Sequence, residues 1–440
     1  MLFLTFPLSN PIGVALLGAL LFWGLLYFLT QLNETTGKWP PGPTPLPFIG
    51  NLHLLDFRRQ DKSLMKISEK YGPVFTIHFG LQKMVVLTGY EAVKEALVNS
   101  AEEFADRPPI PIFQCIQEGQ GIFFSSGELW KTTRKFTMSS MHNLGMGKKM
   151  MGKKILEEFS FLAGLIDSFK GKPFKLKLFN MAPTNVTFLL LFGDRFDYQD
   201  PTFVTLLRLI DEVMVLLGSP FLHESKMETY FSDANIIASL LDLMMAGTET
   251  TATSLQWAVL LMTKYPEVQA KVQEELDQVL GTTRLPEYED QKVLPYTNAV
   301  VHEIQRYIAL LPHVPHSTSV DTHFRGYFFP KGTPVIPLLT SVLLDKTQWK
   351  TPNEFNPSHF LDADGNFVKK AAFLPFSIGR RVCIGESLAK MEMFLFFVTL
   401  LQRFAFYPPP GIKESDLDIT PEATFTKRPQ PQSVCAKPRF

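Results

Sequence analysis

Three cysteines occur among the 440 residues, at positions 115, 383 and 435. They are spaced too widely for a disulfide framework or a Cys-x-x-Cys metal site. Cys383 sits in FSIGRRVCIG (376–385), where Gly379 and Gly385 permit tight turns and the close approach of a flat ligand. Arg380 and Arg381 bring positive charge to the sulfur, and ESLAKMEMFLFFVTLL begins a helix beside it; both favour a thiolate. A thiolate in such a loop suits a single axial bond to a haem iron, whereas a lone cysteine is otherwise a buried thiol packed as a small hydrophobe.

Three further clusters have chemical potential. AGTETT (246–251) sets Glu249 beside Thr250, an acid next to an alcohol, as stepwise proton delivery requires; the plainer reading is a buried polar kink. EIQR (303–306) spaces Glu303 and Arg306 by three, which on local grounds is a solvated helix-face ion pair. In WKTTRK, Trp130 and Arg134 share a helical face. Lysines crowd MGKKMMGKK (146–154), with Lys131, Arg134 and Lys135 just upstream. Such a run is either a solvated face or a dock for an acidic partner.

The elements that must position these groups read as mainly α with a minor β-sheet region. YGPVFTIHFGLQKMVVLTGYEAVKEALVN predicts strands near Val74–Phe79 and Lys83–Thr88, then a helix from Tyr90. VQAKVQEELDQVL and YTNAVVHEIQRYI are amphipathic helices, and FRGYFFPKGTPVIP is a second strand-rich patch. The stretch from Ser232 to Tyr265, closed by Pro266, predicts one long helix of about 51 Å. Its central glycine and threonines are poor helix formers and mark a place to bulge or open.

Equal totals of 43 basic and 43 acidic residues give no global field for nucleic acid. The 39 phenylalanines and 33 prolines suggest a large apolar interior with rigid turns, not disorder. No charge occurs from Met1 to Asn33, and Pro11–Leu32 is long enough to cross a bilayer core of about 30 Å as a helix. A cleaved signal peptide is the rival, but there is no basic leader and KWPPGPTPLP follows instead of a small-residue cleavage site. Residues 1–33 are thus expected to be a transmembrane anchor, 34–50 a stiff Pro-rich hinge and 51–440 the catalytic domain. Lys38 and the basic residues from Arg58 onward place that domain on the cytosolic side.

FSIGRRVCIG resembles the haem-binding loop of the cytochrome P-450 monooxygenases, Phe-x-x-Gly-x-Arg-x-Cys-x-Gly, at every defined position, and the resemblance extends over essentially the whole chain, with features of the microsomal family-2 branch. It implies haem b with Cys383 as the proximal iron ligand, Phe376 beside the sulfur, and Arg381, Arg134, Trp130, Arg107 and His316 toward the propionates. It makes Thr250 the hydroxyl that orients dioxygen and water, with Glu249 as the neighbouring carboxylate. It turns Glu303 and Arg306 into a buried structural pair whose third partner is His359, where many families have arginine. Pocket walls fall on Ile112, Phe113, Phe123, Ala246, Leu310, Val314 and Phe425, which are mostly apolar and imply a lipophilic substrate: a fatty acid, steroid or xenobiotic. Electrons would come from NADPH through a flavoprotein reductase docking on the lysine cluster, with cytochrome b5 as a second candidate partner. The location implied is the endoplasmic reticulum membrane.

One departure stands out. The interval from Trp130 to Thr250 is shorter than the family uses, and the loss centres on LLGSPFLHESKMETYFSD, with a junction near 223/224. Missing roof helices would expose apolar pocket to water, at about 25 cal/mol per Å² of burial lost. The rivals to a working monooxygenase are therefore a non-catalytic haem-binding relative and, less in keeping with the Glu249/Thr250 pair, a haem-thiolate isomerase.

Overall fold

Apolar Phe75, Ile77 and Phe79, alternating with Thr76 and His78, and the apolar run Met84–Leu87 build the hairpin on which the first part of the fold rests. The computed structural model describes residues 11–34, 39–110, 113–114, 117–217, 233–422 and 424–440. The chain divides into two units, residues 1–108 with 314–338 and residues 109–313 with 339–440.

In the first unit, strands β1 (Val74–Phe79) and β2 (Gln82–Leu87) pair antiparallel, Val74 opposite Leu87 and Phe79 opposite Gln82. β4 (His316–Ser317) and β7 (Pro334–Pro337) complete a four-stranded sheet of order β1-β2-β7-β4, in which β2 and β7 run parallel. β5 (Thr322–Phe324) and β6 (Tyr327–Phe329) form a separate hairpin. Leu64 of helix α2 (Gln60–Tyr71) joins Phe75, Ile77, Val86 and Ile336 in the core. Helix α3 (Tyr90–Lys94) follows β2 as expected.

The Pro-rich stretch is not a free-standing spacer. Thr76 donates its amide to the Pro41 carbonyl at 2.9 Å and its hydroxyl to Pro40 at 2.8 Å, and Asn51 holds Pro43 and Thr44. Proline has no amide to donate, but its carbonyls remain good acceptors, and β1 uses them. A Cβ on Gly42 would fall 2.1 Å from the Thr76 carbonyl oxygen, so only glycine fits there.

Helix α1 runs Pro11–Glu34. The anchor expectation lies largely outside the described residues, since 1–10 and many α1 side chains are not described; among the described residues no helix is long and apolar enough to cross a membrane.

The second unit is helical: α4 (Gly127–Asn143), α5 (Lys149–Ser168), α6 (Met181–Leu191), α7 (Pro201–Leu217), α8 (Asp233–Lys264), α9 (Pro266–Val279), α10 (Pro295–Ile308), α11 (Leu339–Leu343) and α12 (Glu386–Arg403). Prolines open α9 and α10, where a missing amide costs nothing. Phe394, Phe396, Phe397 and Leu400 of α12 share one core with Leu255 and Leu260 of α8 and Leu162 of α5. A sheet that the sequence reading missed, of order β3-β9-β8, joins β3 (Phe174–Lys175), β8 (Phe404–Tyr407) and β9 (Ser433–Pro438).

The long helix differs from expectation in being unbroken through AGTETT. Thr250 donates its hydroxyl to the Ala246 carbonyl at 2.8 Å and Ser254 to that of Thr250 at 2.8 Å, so the hydroxyls bond back along the helix without opening it. Gly247 serves packing: a Cβ there would lie 2.5 Å from Thr187 Oγ1 of α6. The expected junction near 223/224 lies outside the described residues.

Candidate functional site

Cys383 is held in a turn just before α12. Its amide donates to the Phe376 carbonyl at 3.0 Å, Val382 donates to Gly379 at 3.1 Å, and Gly379 has a left-handed φ of 82°. The residue keeps accessible surface. Burial pushes the thiol above its ordinary value, and Glu386 adds to this. The Gly385 and Glu386 amides and Arg134 pull the other way. Desolvation outweighs these opposing contributions in the protein alone.

Arg134, from α4, donates to the Val382 carbonyl at 2.5 Å, tying the helix to the Cys383 turn. Arg381 spreads over the Trp130 ring, 3.8 Å from its centroid, and donates to the Ser125 carbonyl at 2.7 Å. Arg134 approaches the same ring at 5.9 Å. Trp130 is buried, and its Nε1 hydrogen has no partner among the described residues. A buried indole N–H without an acceptor is costly, so this donor is arranged for something that brings its own oxygen. Thiol, indole N–H and two guanidiniums form a donor set fit for an iron-centred group bearing carboxylates.

Arg107 and His316 belong to the first unit. There Arg107 Nη1 donates to the Pro315 carbonyl at 2.6 Å, and His316 Nδ1 lies 2.7 Å from the Phe104 carbonyl. A cavity of about 270 Å³ adjoins the cysteine loop, walled by Phe373, Phe376, Gly379, Val382, Glu386 and Lys390. Cys383 and Trp130 are not among its walls.

Ala246 is exposed on α8 one turn before Thr250. Phe113 lies against Phe124 at 3.8 Å between centroids, Phe124 against Phe123 at 4.7 Å, and Phe123 against Phe425 at 6.4 Å. Leu310 accepts the Lys427 amide at 2.9 Å, next to that aromatic chain. Phe113, Phe123 and Phe425 are thus brought together, Ile112 is outside the described residues, and Val314 belongs to the first unit.

Sequence reasoning missed Asp242, which fastens the loop carrying Phe123. Its carboxylate accepts from Gln117 Nε2 at 2.8 Å and from the amides of Ile122 and Phe123 at 2.7 and 3.0 Å. Burial raises its pKa, against those three donors.

Glu249 is buried and clasped by Arg428, Nε to Oε1 and Nη2 to Oε2, each at 2.6 Å. Glu303 and Arg306 are wholly buried, not solvated. Two guanidinium bonds of 2.7 Å join them, and the Leu343, Pro352 and Glu354 carbonyls accept the other three N–H groups. All five arginine donors are used. His359 takes the Thr351 amide on Nε2 at 3.2 Å, so its Nδ1 carries the hydrogen that faces Glu303 at 3.2 Å.

Of the basic cluster, Lys131 pairs with Glu128 and Lys149 with Glu287. Lys135, Lys148, Lys153 and Lys154 make no ion pair among the described residues. Gly147 lies beside Ser387 at the start of α12, which puts the cluster next to the cysteine loop.

A largely helical body with an accessible thiol just before a helix N-terminus, and a fully satisfied buried Glu–Arg pair, fits a haem-binding oxidoreductase. The chain belongs to the cytochrome P450 family, whose model matches residues 40–225 and 216–436. It is 53% identical to human Cytochrome P450 2W1 over 96% of this chain and 98% of that one. Identity is 43% to Cytochrome P450 2K1 of Oncorhynchus mykiss, over 98% of both chains. To Cytochrome P450 2C23 of Rattus norvegicus it is 40%, over 94% and 96%. Membership carries haem iron, electrons supplied by a reductase, and monooxygenase chemistry. The alignment to the human relative runs over 481 positions, more than the 440 residues present, so that relative has residues with no counterpart here. The two family matches meet at 216–225, where the sequence reading placed the shortening.

Proposed function

We propose that the chain is a membrane-anchored monooxygenase of the family-2 type that hydroxylates or epoxidises lipophilic substrates with NADPH-derived electrons. The observation that carries the substrate class is the run of Phe113, Phe124, Phe123 and Phe425, with exposed Ala246 on α8. Those walls offer area for apolar binding and no charged clamp. Fatty acids, steroids and xenobiotics all satisfy that description.

Haem iron, when bound, supplies dioxygen activation, and thiolate ligation favours O–O cleavage. Cys383 would be the iron ligand, and Trp130, Arg134 and Arg381 would serve the propionates as hydrogen-bond donors. Phe376 fixes the cysteine turn through its carbonyl. Thr250 presents a hydroxyl whose own proton is committed to Ala246, leaving its oxygen free to accept and so to orient water. Glu249 is the proton-handling carboxylate, and Glu303, Arg306 and His359 hold the core.

The unpaired lysines beside the cysteine loop support docking of an acidic reductase there, with cytochrome b5 as a second candidate. The charge-free stretch up to Asn33, followed by basic residues, supports an anchor in the endoplasmic reticulum with the body in the cytosol. The test is the reduced, carbon monoxide-bound difference spectrum, followed by product formed per NADPH consumed. Cys383→Ala should abolish the thiolate Soret band, and its persistence would remove Cys383 as ligand. A normal band with no product from any lipophilic substrate would refute the monooxygenase reading.

A further inference from the structure

Glu249 is enclosed by the chain's own C-terminal segment. Oε1 accepts from Arg428 Nε at 2.6 Å, Thr426 Oγ1 at 2.5 Å and Thr253 Oγ1 at 3.2 Å, and Oε2 accepts from Arg428 Nη2 at 2.6 Å. Both partners are buried, Glu249 at 3% and Arg428 at 9% exposure. The third nitrogen of the guanidinium reaches Asp211 of α7 at 2.5 Å, and Asp211 also accepts from the half-exposed Lys177 at 2.7 Å. A line of alternating charge thus runs from the surface to the residue next to Thr250. Bidentate pairing fixes orientation as well as charge, which a lysine's point charge does not do. Trp257 anchors the same segment by donating to the Lys427 carbonyl at 2.6 Å.

We infer that Arg428 is a positioning residue for the oxygen motif: its fork sets the direction and the charge of the Glu249 carboxylate relative to Thr250. The inference rests on reading Glu249 as the proton-handling carboxylate. Proton delivery needs a carboxylate that takes one proton from solvent and passes one on, with no change in electron count. A side chain clasped from the C-terminal segment is held in one rotamer against a fixed positive charge. Without the fork, a carboxylate this buried loses its compensating charge and takes up a proton, and Thr250 then faces a neutral acid in an unfixed orientation.

The test uses the full-length haem-loaded enzyme with Arg428→Gln, Arg428→Lys, Glu249→Gln and the double variant Glu249→Gln/Arg428→Gln. Infrared difference spectra against Glu249→Gln read the carboxyl directly: an ionised carboxylate band in the wild type, and a protonated carboxyl band in Arg428→Gln. Product per NADPH should fall several-fold in Arg428→Gln, with KM for substrate and the carbon monoxide spectrum unchanged, and Arg428→Lys should recover part of it. The double variant should be no worse than Glu249→Gln alone, because the arginine acts through the glutamate. Additive losses, or an unchanged infrared band in Arg428→Gln, would overturn the inference. An altered band with full coupling in both Arg428→Gln and Glu249→Gln would overturn the proton role of Glu249 and leave the clasp standing. Should Arg428→Gln not fold, Arg428→Lys, which keeps the charge and loses the fork, should retain the carboxylate band and still lower product per NADPH, and full coupling in it would overturn the inference.

Discussion

Glu392 lies on α12 with 1% exposure, inside a run of apolar neighbours. Among the described residues one carboxyl oxygen has no partner, and burial raises the pKa from 4.5 to about 8 against a lowering by the Thr251 hydroxyl. Below 4.5 the folded and unfolded chains both hold this proton. Between 4.5 and about 8 the unfolded chain releases it while the folded chain keeps it, so stability falls as pH rises, and above about 8 the loss is complete. At about 1.4 kcal/mol per pH unit the whole interval amounts to about 5 kcal/mol. Glu392→Gln keeps the shape of the neutral acid and cannot ionise. Equilibrium urea unfolding of the full-length protein from about pH 5 to about pH 9 should give wild-type and variant curves that diverge steadily, with the variant gaining. Other titrating groups are common to both proteins and cancel in the difference. Parallel curves across the interval would refute the idea that Glu392 is held neutral by its surroundings.

Trp130→Phe removes the unpaired indole donor and keeps the ring under Arg381; haem should leave on the order of 30-fold faster, for about 2 kcal/mol of a charge-assisted bond, as read by haem-to-protein ratio with the helical circular dichroism unchanged. Glu303→Gln leaves the Arg306 guanidinium buried without its counter-charge and should cost about 3–5 kcal/mol; an unaltered thermal midpoint would show that the pair contributes nothing. Gly247→Ala sets a methyl 2.5 Å from Thr187 Oγ1 and should cost about 1–3 kcal/mol. Adding Thr187→Ala should restore most of that loss, and additive losses would place the strain elsewhere.

What the sequence made legible was local. The cysteine turn packs its glycines, arginine and thiol into ten residues, so its chemistry could be read without knowing the fold. The Glu303/Arg306 spacing was equally plain, but its burial was not, because the carbonyls of Leu343, Pro352 and Glu354 that close around Arg306 come from far along the chain. For the same reason the Pro-rich stretch read as a spacer: its acceptors are visible in composition, its donor Thr76 only in the fold. AGTETT read as a break because propensity is local, and α8 stays intact because its hydroxyls bond back along it and α6 needs a glycine to approach. Arg428 in TFTKRPQPQ gave no local signal at all. Glu392 does give one, a lone acid between Met391 and Met393 at the start of the apolar run of its helix.

Buried polar groups in the second unit fall into two kinds, and the division separates fixed scaffold from places that receive something. Glu303–Arg306 and Glu249–Arg428 have essentially every donor and acceptor satisfied, so breaking either leaves a stranded charge. Among the described residues, Trp130 Nε1, Thr248 Oγ1 and one oxygen of Glu392 have none. Native interiors rarely tolerate such groups unless a ligand or an ordered water meets them. The indole lies beside Arg381, on the side of the protein that holds the cysteine turn. Thr248 and Thr251, the latter bonded to Glu392, bracket Glu249 and Thr250 on α8. The Glu249–Thr250 stretch is thus flanked by one carboxyl clasped by a guanidinium fork and one that burial favours as the neutral acid, which can donate a hydrogen bond.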